Sequence, residues 1–260
     1  MSKLGNISPS PHVAGGFKLF KYASPQAFFP VAGKLIPFCA VLASVLCVAG
    51  FYIGFFVAPT DAQQHDAYRI IYLHVGAAWM SMFIYTVMAF WAGIGLIFNT
   101  RLSSMMASAL APTGAMFTFL ALWTGALWGR PTWGAWWVWD ARLTSELILL
   151  FLYIGFIALQ ASIDEPRRAD RAGAVLALVG VVNVPIIYYS VQWWNTLHQG
   201  SSVNFSGPSK MAVAMKLGML LMALGFWAYT FVVTLMRLRC IVLERERHTE
   251  WAKEYLEKTA

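Results

Sequence analysis

Charge is scarce in this chain. Of its 260 residues, 12% are Asp, Glu, Lys or Arg, against 59% apolar. A soluble domain usually carries about a quarter charged residues, so a soluble globular fold is excluded. Cysteine is scarce too, at three residues, Cys39, Cys47 and Cys240. None stands in a C-x-x-C or C-x-x-C-H arrangement, which argues against a thiol reductant, a zinc site or a covalently attached c-type haem. No P-loop is present, so an ATP-driven step would need another subunit. The first 34 residues lack a compact apolar stretch ending in a small-residue cleavage site, so no removable signal peptide is expected. The alternating pattern of a barrel strand, internal repeats and low-complexity tracts are also missing.

What the sequence does have is long apolar blocks, each sufficient for a helix of roughly 20 residues across a bilayer. Helices satisfy their own backbone in lipid. The expected fold is all-α, a polytopic membrane protein with six spans at about 35–58, 70–98, 105–128, 143–163, 172–193 and 211–236. Residues 1–34 and 237–260 then form an N-terminal segment and a charged, helical C-terminal tail around the membrane domain 35–236. The net charge of +7 suggests nucleic acid at first sight, but the basic residues flank apolar blocks and form no binding patch. They set topology instead. Lys3, Lys18, Lys21, Lys34, Arg101, Arg167, Arg168, Arg171, Arg237, Arg239, Arg245, Arg247, Lys253 and Lys258 fall on the side of the termini. Arg69, Arg130, Arg142, Lys210 and Lys216 fall on the other. Fourteen of the nineteen basic residues on one side place both termini in the cytoplasm.

The outer side holds an unusual stretch, "WGRPTWGAWWVWD", Trp128 to Asp140. It contains five of the twelve tryptophans, Trp128, Trp133, Trp136, Trp137 and Trp139. One reading is an interfacial aromatic belt. Five tryptophans in one connection exceed what a belt needs. With Gly129, Pro131 and Gly134 breaking regular structure, the stretch reads as a non-helical loop over 128–142 that presents a flat aromatic shelf to a planar, lipid-soluble ligand. His74 ("RIIYLHVGAAWM") and His198 ("WWNTLHQG") lie at the same depth. Either alone could be an interfacial histidine bonded to backbone. Together, beside the shelf, they suit the axial ligation of a haem iron. Arg69, Arg130 and Arg142 suit either headgroups or the two haem propionates. Asp140 is placed to cap span four. Glu146, four residues after Arg142, is expected to pair with it. His65 reads as solvated, and His12 and His248 carry no assigned chemistry.

These residues carry a family resemblance. "WGRPTWGAWWVWDARLTSE" resembles the tryptophan-rich signature of the haem-handling-protein superfamily, and "RIIYLHV" with "YYSVQWWNTLHQG" resembles its two histidine segments. With six spans, the chain is similar from about Tyr68 to the last span to the haem exporter protein C family (CcmC) of bacterial cytochrome c maturation. The resemblance implies a multi-pass protein of the bacterial inner membrane, not itself an enzyme, that transiently holds b-type haem at the periplasmic face. His74 and His198 would be its axial ligands, and Trp128, Trp133, Trp136, Trp137, Trp139 and Asp140 its haem contacts. It implies delivery of haem to the periplasmic haem chaperone CcmE. The further partners it implies are an ABC-type ATPase subunit CcmA, a membrane subunit CcmB and a small single-span subunit CcmD. One departure is visible. The family pattern places proline after the first histidine's valine, where this chain has Gly76, which implies a looser helix beside His74. The alternative reading is a bis-histidine membrane b-type cytochrome that transfers electrons. The chain offers no second histidine pair at cytoplasmic depth for one.

Overall fold

The computed structural model describes residues 23–194, 196–198 and 211–259. Lys3, His12, Lys18, Lys21 and Lys210 lie outside the described residues. The elements are α1 (Pro25–Tyr52), extended by a π-helical turn at Ile53–Val57, a 3-10 turn at Asp66–Ile70, α2 (Ile71–Phe98), α3 (Arg101–Trp133), α4 (Ala141–Ser162), α5 (Pro166–Gly180), α6 (Asn183–Trp193), α7 (Val213–Glu246) and α8 (Glu250–Thr259). Six of the resulting segments are long and apolar enough to cross a membrane, with α5 and α6 sharing one of them. The protein is an all-α, multi-pass membrane protein.

The helices overrun the expected boundaries where local chemistry favours extension. α1 begins ten residues before position 35, because Ser24 caps it, accepting from the Ala27 N–H at 3.3 Å, with Pro25 in its first turn. α7 continues to Glu246 because its C-terminal half keeps one face buried, at Leu235, Leu238, Val242 and Glu246. The C-terminal segment is consequently not a free tail. α8 folds back against the start of α1, where the Phe29 ring meets Tyr255 edge-on at 4.9 Å and Trp251 at 5.7 Å. Arg239 lies over the same ring at 4.2 Å and donates to the Tyr255 hydroxyl.

The largest correction concerns the aromatic stretch. Trp128 to Trp133 is not a loop but the last turns of α3. Pro131 removes one backbone donor without ending the helix. Thr132 donates back to the Trp128 carbonyl at 2.7 Å. The helix stops at Gly134, whose φ of 78° is the left-handed cap conformation, its N–H bonded to the Arg130 carbonyl. Only Ala135 to Asp140 is irregular, and Ala141 and Arg142 already belong to α4.

α2 packs along α3, α4 packs on α3, and α5 packs on α2 and α4, around a core that includes Met80, Tyr85, Phe117, Leu149 and Tyr153. Inside this apolar bundle, polar side chains bridge helices. Tyr153 donates to the Ser81 carbonyl and Asn183 to the Ser145 carbonyl, both at 2.8 Å. α1 packs on α7 through small residues. Gly50 and Gly54, spaced as G-x-x-x-G, face Met222 and Gly218, and Gly225 faces Cys47. A β-carbon on Gly50 would lie 2.7 Å from the Met222 backbone nitrogen. Gly50→Leu is therefore expected to push α1 off α7 at a cost of about 1–3 kcal/mol. The midpoint of thermal unfolding in detergent should fall, and Cys47 should react faster with a membrane-permeant maleimide. An unchanged midpoint with unchanged Cys47 reactivity would show that the close approach contributes nothing.

Candidate functional site

His74 sits in the first turns of α2, facing α3. Its Nδ1 is 3.1 Å from the Thr124 hydroxyl oxygen. That hydroxyl already donates to the Leu120 carbonyl at 2.6 Å, so towards His74 it accepts. The neutral ring therefore carries its proton on Nδ1 and keeps the Nε2 lone pair. Gly125, the next residue, makes room for the ring, since a β-carbon there would come within 3.0 Å of His74 Cε1. One turn further along α3, the Trp128 ring meets His74 edge-on at 5.6 Å. Trp128 is itself fixed by donating from Nε1 to Gln64 at 2.7 Å. α2 runs through Gly76 without a break, and that glycine packs against the Phe226 ring. The ring of Phe226 occupies the space beside Gly76 that a side chain would take.

His198 follows α6 and reaches the same place from another direction. Its Nδ1 lies 3.2 Å from Asp140 Oδ2. The other carboxylate oxygen, Oδ1, accepts from the Leu143 N–H at 2.8 Å and caps α4. Burial lowers the His198 pKa, while the Asp140 carboxylate acts in the opposite direction. The Trp133 ring stands edge-on to His198 at 4.8 Å. Neither imidazole Nε2 has a hydrogen-bond partner among the described residues.

Both histidines line one cavity of about 200 Å³, together with Gln64, Trp128, Trp133 and Arg142. The remaining candidates lie elsewhere. Arg69 is committed to the end of α1, donating to the Gly54 and Ala58 carbonyls and pairing with Asp66. Arg130 caps its own helix at the Gly134 carbonyl. Arg142 is thus the one of the three proposed arginines in the cavity wall. It makes no ion pair with Glu146 among the described residues. Glu146 instead accepts from Ser81 at 2.6 Å. Trp136 and Trp139 point outward, 57% and 78% exposed. Trp137 meets Trp139 at 76°, so these rings do not form a flat shelf. His65 is exposed, as expected. The residues that sequence reasoning missed are Thr124, Gly125 and Gln64. Only the dense helical spacing of Thr124, Gly125 and Trp128 hinted at the first two.

Among the described residues no group of three His, Cys, Asp or Glu side chains could hold a bare metal ion. Two imidazoles, each with Nδ1 engaged and Nε2 without a hydrogen-bond partner among the described residues, between indole edges and beside a guanidinium, instead fit a metal whose other ligands come from a flat macrocycle with acidic substituents. The fold and cavity define a class: polytopic helical membrane proteins with a paired-imidazole, tryptophan-walled cavity at one end of the bundle. The family model for heme exporter protein C matches residues 18–253. Heme exporter protein C of Escherichia coli K12 is 48% identical over 240 residues, covering 92% of this chain and 97% of that protein. The protein of the same name from Bradyrhizobium diazoefficiens is 44% identical over 228 residues, or 87% and 86%. A putative cytochrome c biosynthesis ccmC-like mitochondrial protein of Marchantia polymorpha is 41% identical over 215 residues, or 83% and 90%. The chain belongs to the heme exporter protein C family, and it is a multi-pass inner-membrane protein.

The double role of Asp140 can be separated. Asparagine caps helices as well as aspartate does, so Asp140→Asn should leave α4 intact. Asp140→Ala should cost about 1 kcal/mol of stability. In both variants the His198 pKa should fall below its wild-type value, because the carboxylate that favours the protonated ring is gone. Thermal unfolding and NMR titration of ring-labelled histidine measure the two effects, and a raised His198 pKa in Asp140→Asn would contradict the assignment.

Proposed function

We propose that this chain handles haem for cytochrome c maturation, holding it at the periplasmic face between His74 and His198 and passing it to the haem chaperone CcmE. One observation carries the reading: both imidazoles line a single cavity, each with Nδ1 bonded to a protein oxygen and Nε2 unpartnered. The names of the bacterial relatives point to the same cargo, and that of the Marchantia protein to cytochrome c biosynthesis.

Thr124 and Asp140 fix the ring tautomers, so that both Nε2 lone pairs are offered to the iron. Trp128 and Trp133 give the cavity wall apolar surface. Arg142 supplies a guanidinium for a propionate. Trp136 and Trp139, on the exposed rim, contact the arriving chaperone. Haem would be held here without covalent attachment, as b-type haem is, since the sequence has no C-x-x-C-H, and its transience belongs to the delivery role. The chain acts as a holder rather than an enzyme. CcmA, CcmB and CcmD complete the assembly, with CcmA supplying ATP hydrolysis. Transmembrane electron transfer fits less well. The described histidine at the opposite end, His248, is exposed and outside the six spans.

His74→Ala and His198→Ala should each leave one axial ligand. Purified variants should lose the six-coordinate low-spin spectrum and most of their haem, and covalent loading of CcmE in the same membranes should fall in step. Full haem occupancy with an unchanged spectrum in both variants would refute the ligand assignment. Normal CcmE loading at low haem occupancy would refute the delivery role.

The fourteen-to-five division of basic residues supports a periplasmic position for the cavity. With Cys39, Cys47 and Cys240 replaced, a cysteine at Ala135 should react with an impermeant maleimide added to cells whose outer membrane alone has been permeabilised. Reaction only after the inner membrane is opened would invert the topology.

A further inference from the structure

A second cavity, of about 80 Å³, lies at the opposite end of α2 from His74. α2 ends there, and α3 and α5 both begin there. Its wall includes Asn99, Thr100, Arg101, Ser104, Arg167 and Arg171. The charges around it do not cancel. Asp170 also lines the wall, but both its carboxylate oxygens accept from Arg245, at 2.8 and 3.0 Å. Arg101 pairs with Glu246 at 2.7 Å. Arg167 and Arg171, one turn apart on α5, have no ion-pair partner among the described residues. Two uncompensated guanidiniums therefore share one concavity.

Two further features define what would fit. α3 and α5 both present their N-terminal amides at this end, and neither N-cap side chain, Thr100 or Glu165, accepts a capping hydrogen bond. Glu165 is instead drawn to Arg168 at 2.8 Å. Just outside the polar wall, Ile97 and Phe98 are 72% and 69% exposed. An anionic group is required next to an apolar one, at the boundary of a membrane-spanning bundle.

We propose that this cavity binds the phosphate headgroup of an anionic phospholipid. Arg167 and Arg171 donate to the phosphate oxygens, and the acyl chains lie along Ile97 and Phe98. Guanidinium is the side chain suited to phosphate geometry, and basic pockets between transmembrane helices are a recurrent form of headgroup recognition. The phosphate ties the start of α5 to the turn between α2 and α3, a junction that the protein's own carboxylates do not bridge at Arg167 and Arg171. The assignment is independent of what the outer cavity holds.

Native mass spectrometry of the full-length protein in detergent tests it, with phosphatidylglycerol, phosphatidylcholine of the same acyl chains and inorganic phosphate as probes. Wild type should retain phosphatidylglycerol in preference to phosphatidylcholine. The double variant Arg167→Gln/Arg171→Gln should lose that preference, with about ten-fold weaker retention. Both positions are exposed, so the variant should elute as wild type does. Arg168→Gln, at a neighbouring position outside the cavity wall, should retain the lipid normally. Millimolar inorganic phosphate should not displace it, since the acyl chains contribute to binding. Equal retention of the two lipids by wild type, or undiminished phosphatidylglycerol in the double variant, would overturn the proposal. Full displacement by inorganic phosphate would overturn its lipid part and leave a site for a soluble phosphate.

Discussion

The end of the bundle that carries the two histidines is organised by the destination of two N–H groups. A buried neutral imidazole has one proton and two nitrogens, and whatever accepts the proton decides which nitrogen is left. At His74 the acceptor is Thr124, which is obliged to accept because its own proton is spent on the Leu120 carbonyl. At His198 it is Asp140. Gly125 is small because the His74 ring must lie against it. Trp128 and Trp133 are spaced along α3 so that each indole meets one imidazole. Asp140 starts α4 and orients His198 with the two oxygens of one carboxylate, so the position of that helix and the identity of the offered nitrogen are set together.

The general architecture was legible because it rests on one-dimensional signals. Six apolar blocks, a tryptophan cluster and two histidines at equal depth need no knowledge of partners. The parts that were not legible depend on residues far apart in the chain. Thr124 lies 50 residues from His74, and Gln64 lies 64 from Trp128. Neither separation has a pattern that a sequence displays. Arg69 and Arg130 show the same limit from the other direction. Charge asymmetry gives an expectation for their side of the membrane, but a guanidinium that satisfies carbonyls at a helix end looks the same in sequence as one that faces a cavity. Arg142 differs only in standing on the first turn of α4, where the helix directs it into the cavity.

Pro131 misled for a physical reason. Proline inside a helix costs a hydrogen bond and crowds the preceding turn, and with two glycines nearby it reads as a break. Near the end of a helix that crowding is confined to the final turns, and the Thr132 hydroxyl reinforces the turn by bonding the Trp128 carbonyl. The helix can therefore carry Trp128 and Trp133 on a rigid frame and leave only the following six residues irregular. The cluster is thereby divided in two. The helical tryptophans face the histidines, and Trp136 and Trp139 on the irregular part face outward.

This division runs parallel to a difference between the two histidines. His74 is built into α2, which is packed along its length against α3, and its hydrogen bond goes to another buried helix. Moving it means moving the core. His198 stands beyond the end of α6, held by the Asp140 carboxylate and by its backbone N–H to the Thr196 hydroxyl. Asp140 in turn belongs to the irregular segment that carries Trp136 and Trp139. One side of the cavity is thus fixed by tertiary packing. The other is held by a few local contacts, to the Asp140 carboxylate, the Thr196 hydroxyl and the Trp133 ring, of which the first belongs to the segment that also carries the exposed rim.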